Sequence, residues 1–190
     1  MAWLSSEQVR ALGFAAVGSD VLLSDRASYY NCAAIRIGSR VRIDDFCVLS
    51  AGNGGIVIGD HIHIAVFSSL IGAGCITLHD YANVSSRVAI YSSTDDFSGA
   101  AMTNPTVPSE YTGVTHAPVE IGRHVVIGSG SVILPGVTLA EGVAVGALTM
   151  VSLDCAAFGI YAGVPARRIG ERRRDLLTAE QRFVDSGRRA

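Results

Sequence analysis

The apolar side chains of this chain recur every six residues and fall into groups of three. Fifteen aliphatic residues follow this period: Ile37, Ile43, Leu49, Ile58, Ile64, Leu70, Leu78, Val84, Ile90, Ile121, Ile127, Ile133, Leu139, Val145 and Val151. A helix repeats about every 3.6 residues and a flat strand about every two, so neither produces a period of six. A hexapeptide period is typical of a parallel β-helix, in which each short strand points one large apolar residue into a narrow core. The pattern therefore predicts an all-β solenoid.

The interruptions of the repeat each follow a complete group of three hexads. Three steps exceed six residues, by three, two and twenty-five residues: Leu49 to Ile58, Leu70 to Leu78, and Ile90 to Ile121. If three hexads form one coil, every insertion falls at the same corner of a three-sided prism. Insertions in solenoids lie on one face, which is often the functional one. We therefore expect the long loop, residues 91–120, to project from one edge and to carry the function.

The chain divides into three predicted segments. A weaker group at Val17, Leu23 and Tyr29 extends the repeat toward the N-terminus. The predicted segments are an N-terminal helical segment over residues 1–16, the β-helix with its loop over 17–154, and an extended segment with a helix over 155–190.

Both predicted helices lie outside the repeat. Ser5 and Gln8 form a capping-box pattern, and the first helix should end near Gly13. The second helix is predicted over residues 171–185, with its apolar residues near one face. We expect it to cover the open end of the solenoid, where strand edges would otherwise be unpaired.

Composition narrows the class of protein. The chain has 190 residues and a formal charge of −2, so it has no basic balance of the kind that favours nucleic acid. Its four cysteines show no Cys-x-x-Cys spacing, which favours buried thiols over a disulfide framework or a zinc cluster. There is no apolar run of about 20 residues and no pattern of a secretory leader. We expect a cytoplasmic protein without a membrane span.

Three motifs resemble those of a known family. They are the run from Ile127 to Leu139, the segment Val145-Gly-Ala-Leu148, and the sequence Ala162-Gly-Val-Pro-Ala-Arg-Arg168. Together with the hexads and the long loop, they resemble the left-handed β-helix acyltransferases. The galactoside and maltose acetyltransferases and the sugar acetyltransferases of surface-polysaccharide pathways are the most similar members. The left hand comes from this resemblance alone, because the general rule for parallel crossovers favours the right hand.

The resemblance implies an enzyme and its assembly. Members of the family transfer an acetyl group from acetyl-CoA, use no metal, and form homotrimers. Each site lies in a groove between neighbouring solenoids and is closed by a protruding loop. The expected reaction is O- or N-acetylation of a sugar or a nucleotide-linked amino sugar, in lipopolysaccharide or other surface-polysaccharide biosynthesis. The acceptor attacks the thioester directly, with help from a general base.

The candidate catalytic residues lie at the two ends of the loop. The family's basic histidine should follow the strand that contains Ile90, but Asp95 occupies that position and Asp96 comes next. A lone carboxylate with a pKa of about 4 is a weak base at neutral pH, although two adjacent acids raise one another's pKa. His116 lies at the far end of the loop. An imidazole, with an unperturbed pKa of about 6.5, suits this role better than a carboxylate does. We expect His116 to be the base, with Asp95 or Asp96 orienting it or holding the acceptor. The alternative is a solvated turn and an ordinary loop histidine.

The loss of the family histidine bears on the acceptor. A neutral amine is already nucleophilic, so an amino sugar needs less help from a base than a hydroxyl group does. The sequence therefore slightly favours N-acetylation.

Small residues in turns mark the expected coenzyme A contacts. The resemblance carries these contacts over to Ser129, Ala147 and Ser152, where the backbone is open to the pantetheine arm.

Arginines are the expected partners of the coenzyme A phosphates. Arg167 matches the arginine of the family's Val-Pro-x-Arg motif, whereas Leu153 replaces a lysine that is usual in the family. Arg168, or the arginines at positions 172–174, could replace that lysine, because guanidinium groups pair well with phosphate. A solvated helix start is the alternative for all but Arg167.

Two other classes of protein remain as alternatives. A γ-class carbonic anhydrase shares the solenoid and binds zinc through three histidines. His79 and His116 have a suggestive separation, but Ile121 occupies the place of the third ligand. A non-catalytic assembly subunit would bind no coenzyme A, and it would leave a long loop with two acids and a histidine unexplained.

Overall fold

The computed structural model, which describes residues 2–187, is a three-sided parallel β-helix. The first face contains β1 (Ala16–Val17), β4 (Ile35–Ile37), β7 (Ile56–Ile58), β10 (Ile76–Leu78), β15 (Val119–Ile121) and β18 (Thr138–Leu139). The second face contains β2 (Leu22–Leu23), β5 (Arg42–Ile43), β8 (His63–Ile64), β11 (Asn83–Val84), β16 (Val126–Ile127), β19 (Ala144–Val145), β21 (Gly159–Ala162) and β22 (Arg167–Glu171). The third face contains β3 (Ser28–Tyr30), β6 (Val48–Ala51), β9 (Ser69–Gly72), β12 (Ala89–Tyr91), β17 (Val132–Ile133) and β20 (Met150–Val151). The all-β solenoid predicted from the hexads is confirmed.

The hexad residues stack directly above one another in the core. On the first face, Ile58 is the register partner of both Ile37 and Leu78, and Ile121 stands between Leu78 and Leu139. All fifteen regularly spaced aliphatic residues are buried. Each contributes roughly 1.5–3 kcal/mol by leaving water, so the period of six is the packing period of the core. The weaker first group follows the same register.

The insertions lie at one corner, as predicted. Each follows a strand of the third face and precedes one of the first, and we call this corner the third–first edge. The other two corners are the first–second edge and the second–third edge. The long insertion leaves the solenoid after β12 and rejoins it at β15. It contains a short antiparallel hairpin of β13 (Ser93–Thr94) and β14 (Thr115–His116), and a 3₁₀ turn at Ser109–Tyr111.

The N-terminal helix, α1 (Ser6–Ala11), has the predicted capping box. The Gln8 amide donates to Ser5 Oγ at 3.2 Å, and the Ser5 amide donates to Gln8 Oε1 at 2.8 Å. These bonds satisfy amides that a helix start otherwise leaves without partners.

The C-terminal helix, α2 (Asp175–Gly187), corrects one expectation. It lies along the first–second edge, where Phe183 packs edge-on against His61 at 5.2 Å, and it does not cover the end of the solenoid. At that end, β22 instead folds back antiparallel on β21. The sequence could not reveal that an aromatic surface on the side of the prism would hold the apolar face of this helix. In the described part of the chain, neither helix combines the length and apolar character needed to cross a bilayer.

Candidate active site

The two ends of the long loop meet in the β13–β14 hairpin. Ser93 lies opposite His116 there, and Thr94 lies opposite Thr115. Nδ1 of His116 is 2.7 Å from Oγ of Ser93, and the Ala73 amide donates to the same oxygen at 2.7 Å. The hairpin thus fixes one nitrogen of an otherwise exposed imidazole.

The contact with Ser93 bears on which nitrogen of His116 is basic. A hydroxyl oxygen has two lone pairs, so Ser93 Oγ can accept a bond from Ala73 and one from Nδ1–H of the imidazole. In that tautomer Nε2 is unprotonated and can take a proton from an acceptor.

The structure corrects the expectation that a carboxylate orients His116. Among residues 2–187, neither Asp95 nor Asp96 forms a hydrogen bond with the imidazole, and Ser93 takes that place. Sequence analysis missed Ser93, because its role depends on the register between two segments 23 residues apart. A serine beside the expected strand end is the only signal that the sequence offers.

Asp95 lies at a cavity of about 500 Å³ beneath the loop. The cavity is lined by apolar and small polar side chains that include Ile71, Pro105, Val107 and Val114. Its one charged lining residue is Asp95, whose carboxylate forms no hydrogen bond within the described chain. This cavity therefore suits a largely apolar group that bears one hydrogen-bond donor or one positive charge.

Asp96 organises the loop. Its Oδ1 accepts from the Ser98 hydroxyl at 2.6 Å and from the Ser98 amide at 2.9 Å, and its Oδ2 accepts from the Ala101 amide at 2.8 Å. These bonds, the Ser98 hydroxyl first, lower the pKa of Asp96 to about 2. Such a carboxylate is a poor proton acceptor at neutral pH, and its oxygens already have partners.

The expected coenzyme A contacts fall on two different edges. Ser129 and Ala147 are exposed on the second–third edge, in adjacent coils joined by a 2.9 Å bond from the Leu148 amide to the Ser129 carbonyl. These coils approach closely, because a Cβ added at Gly128 would come within 2.5 Å of the Ala147 nitrogen. Ser152 is exposed on the third–first edge. The third face therefore separates it from the other two.

Ser152 lies near Arg167 and Arg168 in a cleft of about 300 Å³. Both guanidinium groups are exposed. Arg167 Nη1 donates to the Ala166 carbonyl at 2.9 Å, and Arg168 Nη2 pairs with Glu171 at 2.7 Å. The cleft thus combines a small polar side chain with two positive charges and the carboxylate of Asp154.

The other C-terminal arginines have structural contacts. Arg172 donates to the carbonyls of His124 and Gly142 at 2.6 and 3.2 Å, and Arg174 lies 4.6 Å from the centre of the Phe158 ring. Arg173 forms an ion pair with Asp175 at 2.5 Å.

No group of three histidine, cysteine or acidic side chains that could hold a metal ion occurs within residues 2–187. His79, a ligand in the carbonic anhydrase alternative, lies 3.0 Å from Glu120 instead.

Comparison with known proteins identifies the family. The chain is 55% identical over 186 residues to the dTDP-4-amino-4,6-dideoxy-D-glucose acyltransferase of Escherichia coli, covering 98% of this chain and 97% of that protein. The chain belongs to the hexapeptide-repeat acyltransferases. It is therefore an enzyme, and the resemblance found in the sequence is confirmed.

Solved structures agree with this assignment. AntD, an N-acyltransferase from Bacillus cereus, is 44% identical and superposes with a TM-score of 0.93, covering 98% of each chain. Its structure contains dTDP and 3-hydroxybutyryl-CoA, and structures of its variants contain coenzyme A with dTDP or dTDP-4-amino-4,6-dideoxyglucose. The left-handed β-helix that the sequence analysis predicts for the present chain is thereby confirmed.

A more distant relative is the putative lipopolysaccharide biosynthesis O-acetyl transferase WbbJ of Escherichia coli K12. It is 28% identical over 180 residues, covering 83% of this chain and 87% of that protein. No family model matches the chain.

Proposed function

We propose that this enzyme transfers an acyl group from acyl-CoA to the amine of a dTDP-linked 4-amino-4,6-dideoxy sugar. The observation that carries this proposal is the 55% identity, over almost both full lengths, to an acyltransferase of that sugar nucleotide. The AntD complexes with coenzyme A and the same sugar nucleotide support it. Acetyl-CoA is the simplest donor, and the 3-hydroxybutyryl-CoA bound to AntD extends the class to other short acyl groups.

The proposed reaction is a direct attack on the thioester. The neutral amine attacks the carbonyl carbon, a C–N bond forms, and the tetrahedral intermediate then loses the C–S bond. The nitrogen loses one proton, and the departing thiolate of coenzyme A gains one. Because an amine is already nucleophilic, the enzyme mainly has to position it and accept a proton late.

Asp95 is proposed to hold the acceptor amine, and His116 to receive its proton. The exposed Asp95 lines a cavity without positive charge, and its carboxylate can therefore accept a hydrogen bond from an N–H group of the acceptor. Ser93 orients His116 and leaves Nε2 for the proton. Asp96 is proposed to organise the loop and to take no part in the chemistry, because bonds from Ser98 and Ala101 already engage both of its oxygens.

AntD variants add support for Asp95. Solved structures of AntD include substitutions of a serine and of an aspartate ten residues later. Ser85 and Asp95 have the same separation here, as do Ser86 and Asp96. Since Asp96 is committed to the loop turn, we favour Ser85 and Asp95 as the equivalent pair.

A homotrimer is proposed from the character of the third face. None of the residues in its six strands is charged, whereas the outward sides of the other faces carry Arg36, Glu120 and Arg42. Uncharged faces are typical of contacts between subunits. If three copies turn this face toward a common axis, the third–first edge of one lies beside the second–third edge of the next.

We call the line where these two edges meet the seam. Coenzyme A is proposed to lie along it. Ser129 and Ala147 would come from one subunit, and Ser152, Arg167 and Arg168 from its neighbour. This arrangement explains why the expected contacts fall on two edges of a single chain. The loop of the neighbour then closes the site.

Lipopolysaccharide biosynthesis in the cytoplasm is the proposed setting. WbbJ supports the pathway, and both proposed substrates are soluble, charged nucleotide derivatives.

A thiol-release assay tests the proposed function. The enzyme is given acetyl-CoA or 3-hydroxybutyryl-CoA with dTDP-4-amino-4,6-dideoxyglucose, and in parallel with dTDP-glucose, which has a hydroxyl group at C4 in place of the amine and a further hydroxyl group at C6. We expect turnover only with the amino sugar, with formation of an amide product visible by mass spectrometry. Equal turnover with dTDP-glucose, or thiol release with neither acceptor, would contradict the proposal.

A further inference from the structure

A column of two arginines and two phenylalanines runs along the second–third edge. Phe46 and Phe67 stack with ring centres 4.9 Å apart and an angle of 16°. The Arg26 guanidinium lies 5.9 Å from the centre of the Phe46 ring, and the Arg87 guanidinium lies 5.8 Å from the centre of the Phe67 ring. We call these four residues the open column.

The open column is exposed and conformationally costly. Phe46 is 46% exposed and Phe67 is 52% exposed. Both have φ of 62°, and Arg87 has φ of 61°, in the left-handed region that side chains larger than asparagine rarely adopt. The same conformation recurs at turns on the first–second edge, as at Tyr81 and His124, so it belongs to the repeat, and it is the exposure of these side chains that sets the open column apart.

The column also continues into the expected coenzyme A site. Backbone bonds join the same edge position from coil to coil: the Gly130 amide donates to the Ser86 carbonyl at 3.0 Å, and the Leu148 amide donates to that of Ser129 at 2.9 Å. Ser129 and Ala147 therefore share an edge with the open column, and Ser85 lies two residues before Arg87.

The distribution of positive charge favours a phosphate ligand for Arg87. Every basic residue in the sequence other than histidine is an arginine, and Arg87 is the only one between Arg42 and Arg123. The loop cavity has no arginine among its lining residues. A sugar nucleotide whose amine lies at Asp95 must place two phosphates outside that cavity, where they need a cation.

We propose that the open column binds the nucleoside diphosphate part of the acceptor. Arg87 pairs with the diphosphate, and the pyrimidine lies across the edges of Phe46 and Phe67. Aromatic rings favour this edge-to-face arrangement, in which positive ring edges meet the negative face of the base. The inference rests on the proposed function, and it names the part of the molecule that recognises the nucleotide.

Calorimetric titration of dTDP and of thymidine tests the open column without catalysis. Arg87→Ala should weaken dTDP binding by about tenfold or more and leave thymidine binding nearly unchanged, because it removes a charge-assisted contact. Phe67→Asn should weaken both ligands by a similar factor, and asparagine tolerates the left-handed backbone. Arg36→Ala, at an exposed arginine on the first face, is the matched control and should bind dTDP as the parent does.

Three outcomes separate the possibilities. If the parent binds dTDP but Arg87→Ala and Phe67→Asn bind it equally well, the column is not the nucleotide site, and the proposed function stands. If the parent neither binds dTDP nor acylates the amino sugar, the proposed function fails first. If binding is lost together with a change in oligomer mass by light scattering, the column is a contact between copies and the inference is overturned.

Discussion

Two edges of this β-helix carry aromatic columns built in the same way, but only one of them is covered. On the first–second edge, Tyr81 stacks between His61 and His124, with ring centres 5.0 and 4.9 Å away. On the second–third edge, Phe46 and Phe67 stack between two arginines. Tyr81 and Phe67 even share a φ of 62°. The backbone therefore does not distinguish the edges.

The difference lies in what faces each column. Helix α2 covers the first–second edge: Phe183 packs on His61, and Glu180 pairs with His124 at 2.9 Å and with Arg123. Only 11% of the His124 side chain and 16% of the Glu180 side chain remain exposed. No helix covers the open column within residues 2–187. One column thus serves the subunit's own stability, while the other is left for a ligand.

The largest expected contrast comes from the same substitution on both edges. Tyr81→Asn removes a ring that has two stacked neighbours, and we expect it to lower the free energy of unfolding by about 2 kcal/mol. Phe67→Asn removes a half-exposed ring that has one stacked ring neighbour, and it should lower the free energy of unfolding by only about 0.5–1 kcal/mol. Chemical denaturation of both variants measures the two losses in the free energy of unfolding. Equal losses would contradict the difference between the two edges.

Glu180→Gln tests the polar part of the covered edge. The variant removes the carboxylate that pairs with both Arg123 and His124. Nε of Arg123 is buried and has no hydrogen-bond partner in the described chain even when Glu180 is present. Because the Arg123 side chain is 41% exposed, we expect a loss of only about 1–2 kcal/mol. Hydrogen exchange should show it as faster opening of α2, with dTDP affinity unchanged. A weakened dTDP affinity would break the separation of the two edges.

Acidification should also release α2. Burial alone raises the pKa of Glu180, but bonds from His124 and Arg123 outweigh it and lower the folded pKa below the usual value. The carboxylate therefore stabilises the docked helix above its unfolded pKa of about 4.3, and this contribution is lost as the pH falls through the folded value. Exchange protection of α2 should decline on acidification in the parent. In Glu180→Gln this part of the decline should be absent; an identical decline would refute the assignment.

Much of the fold could be predicted from the sequence, because its core is one-dimensional. Each hexad residue fills one position in the stack, so Ile58 or Ile121 reveals its place by spacing alone. The corner that bears the loop follows from the same counting. The placement of α2 could not be predicted from this counting, because the helix packs on side chains such as His61 and Tyr81, which meet only after the coils stack.

The candidate site was predicted in part for the same reason. Asp95 and His116 are recognisable by their positions at the two ends of the loop, and the hairpin does bring those ends together. Ser93 as the partner of His116 depends on hairpin register, which no periodicity encodes. The open column was in principle readable, since Phe46, Phe67 and Arg87 each stand three residues after a hexad aliphatic. Their stacking indicates a ligand site only when it is compared with the stacking on the first–second edge, which α2 covers.

Mixed oligomers test most directly whether the site lies at a seam between an open column and the loop of a neighbouring subunit. Arg87→Ala and Asp95→Asn chains, each nearly inactive alone at low dTDP-amino-sugar concentration, are coexpressed with different tags and purified as mixed assemblies. Each seam that joins an intact column to an intact loop should be active, so random mixing should restore roughly a quarter of the parent activity. Activity no greater than that of the two variants measured separately would contradict a shared site.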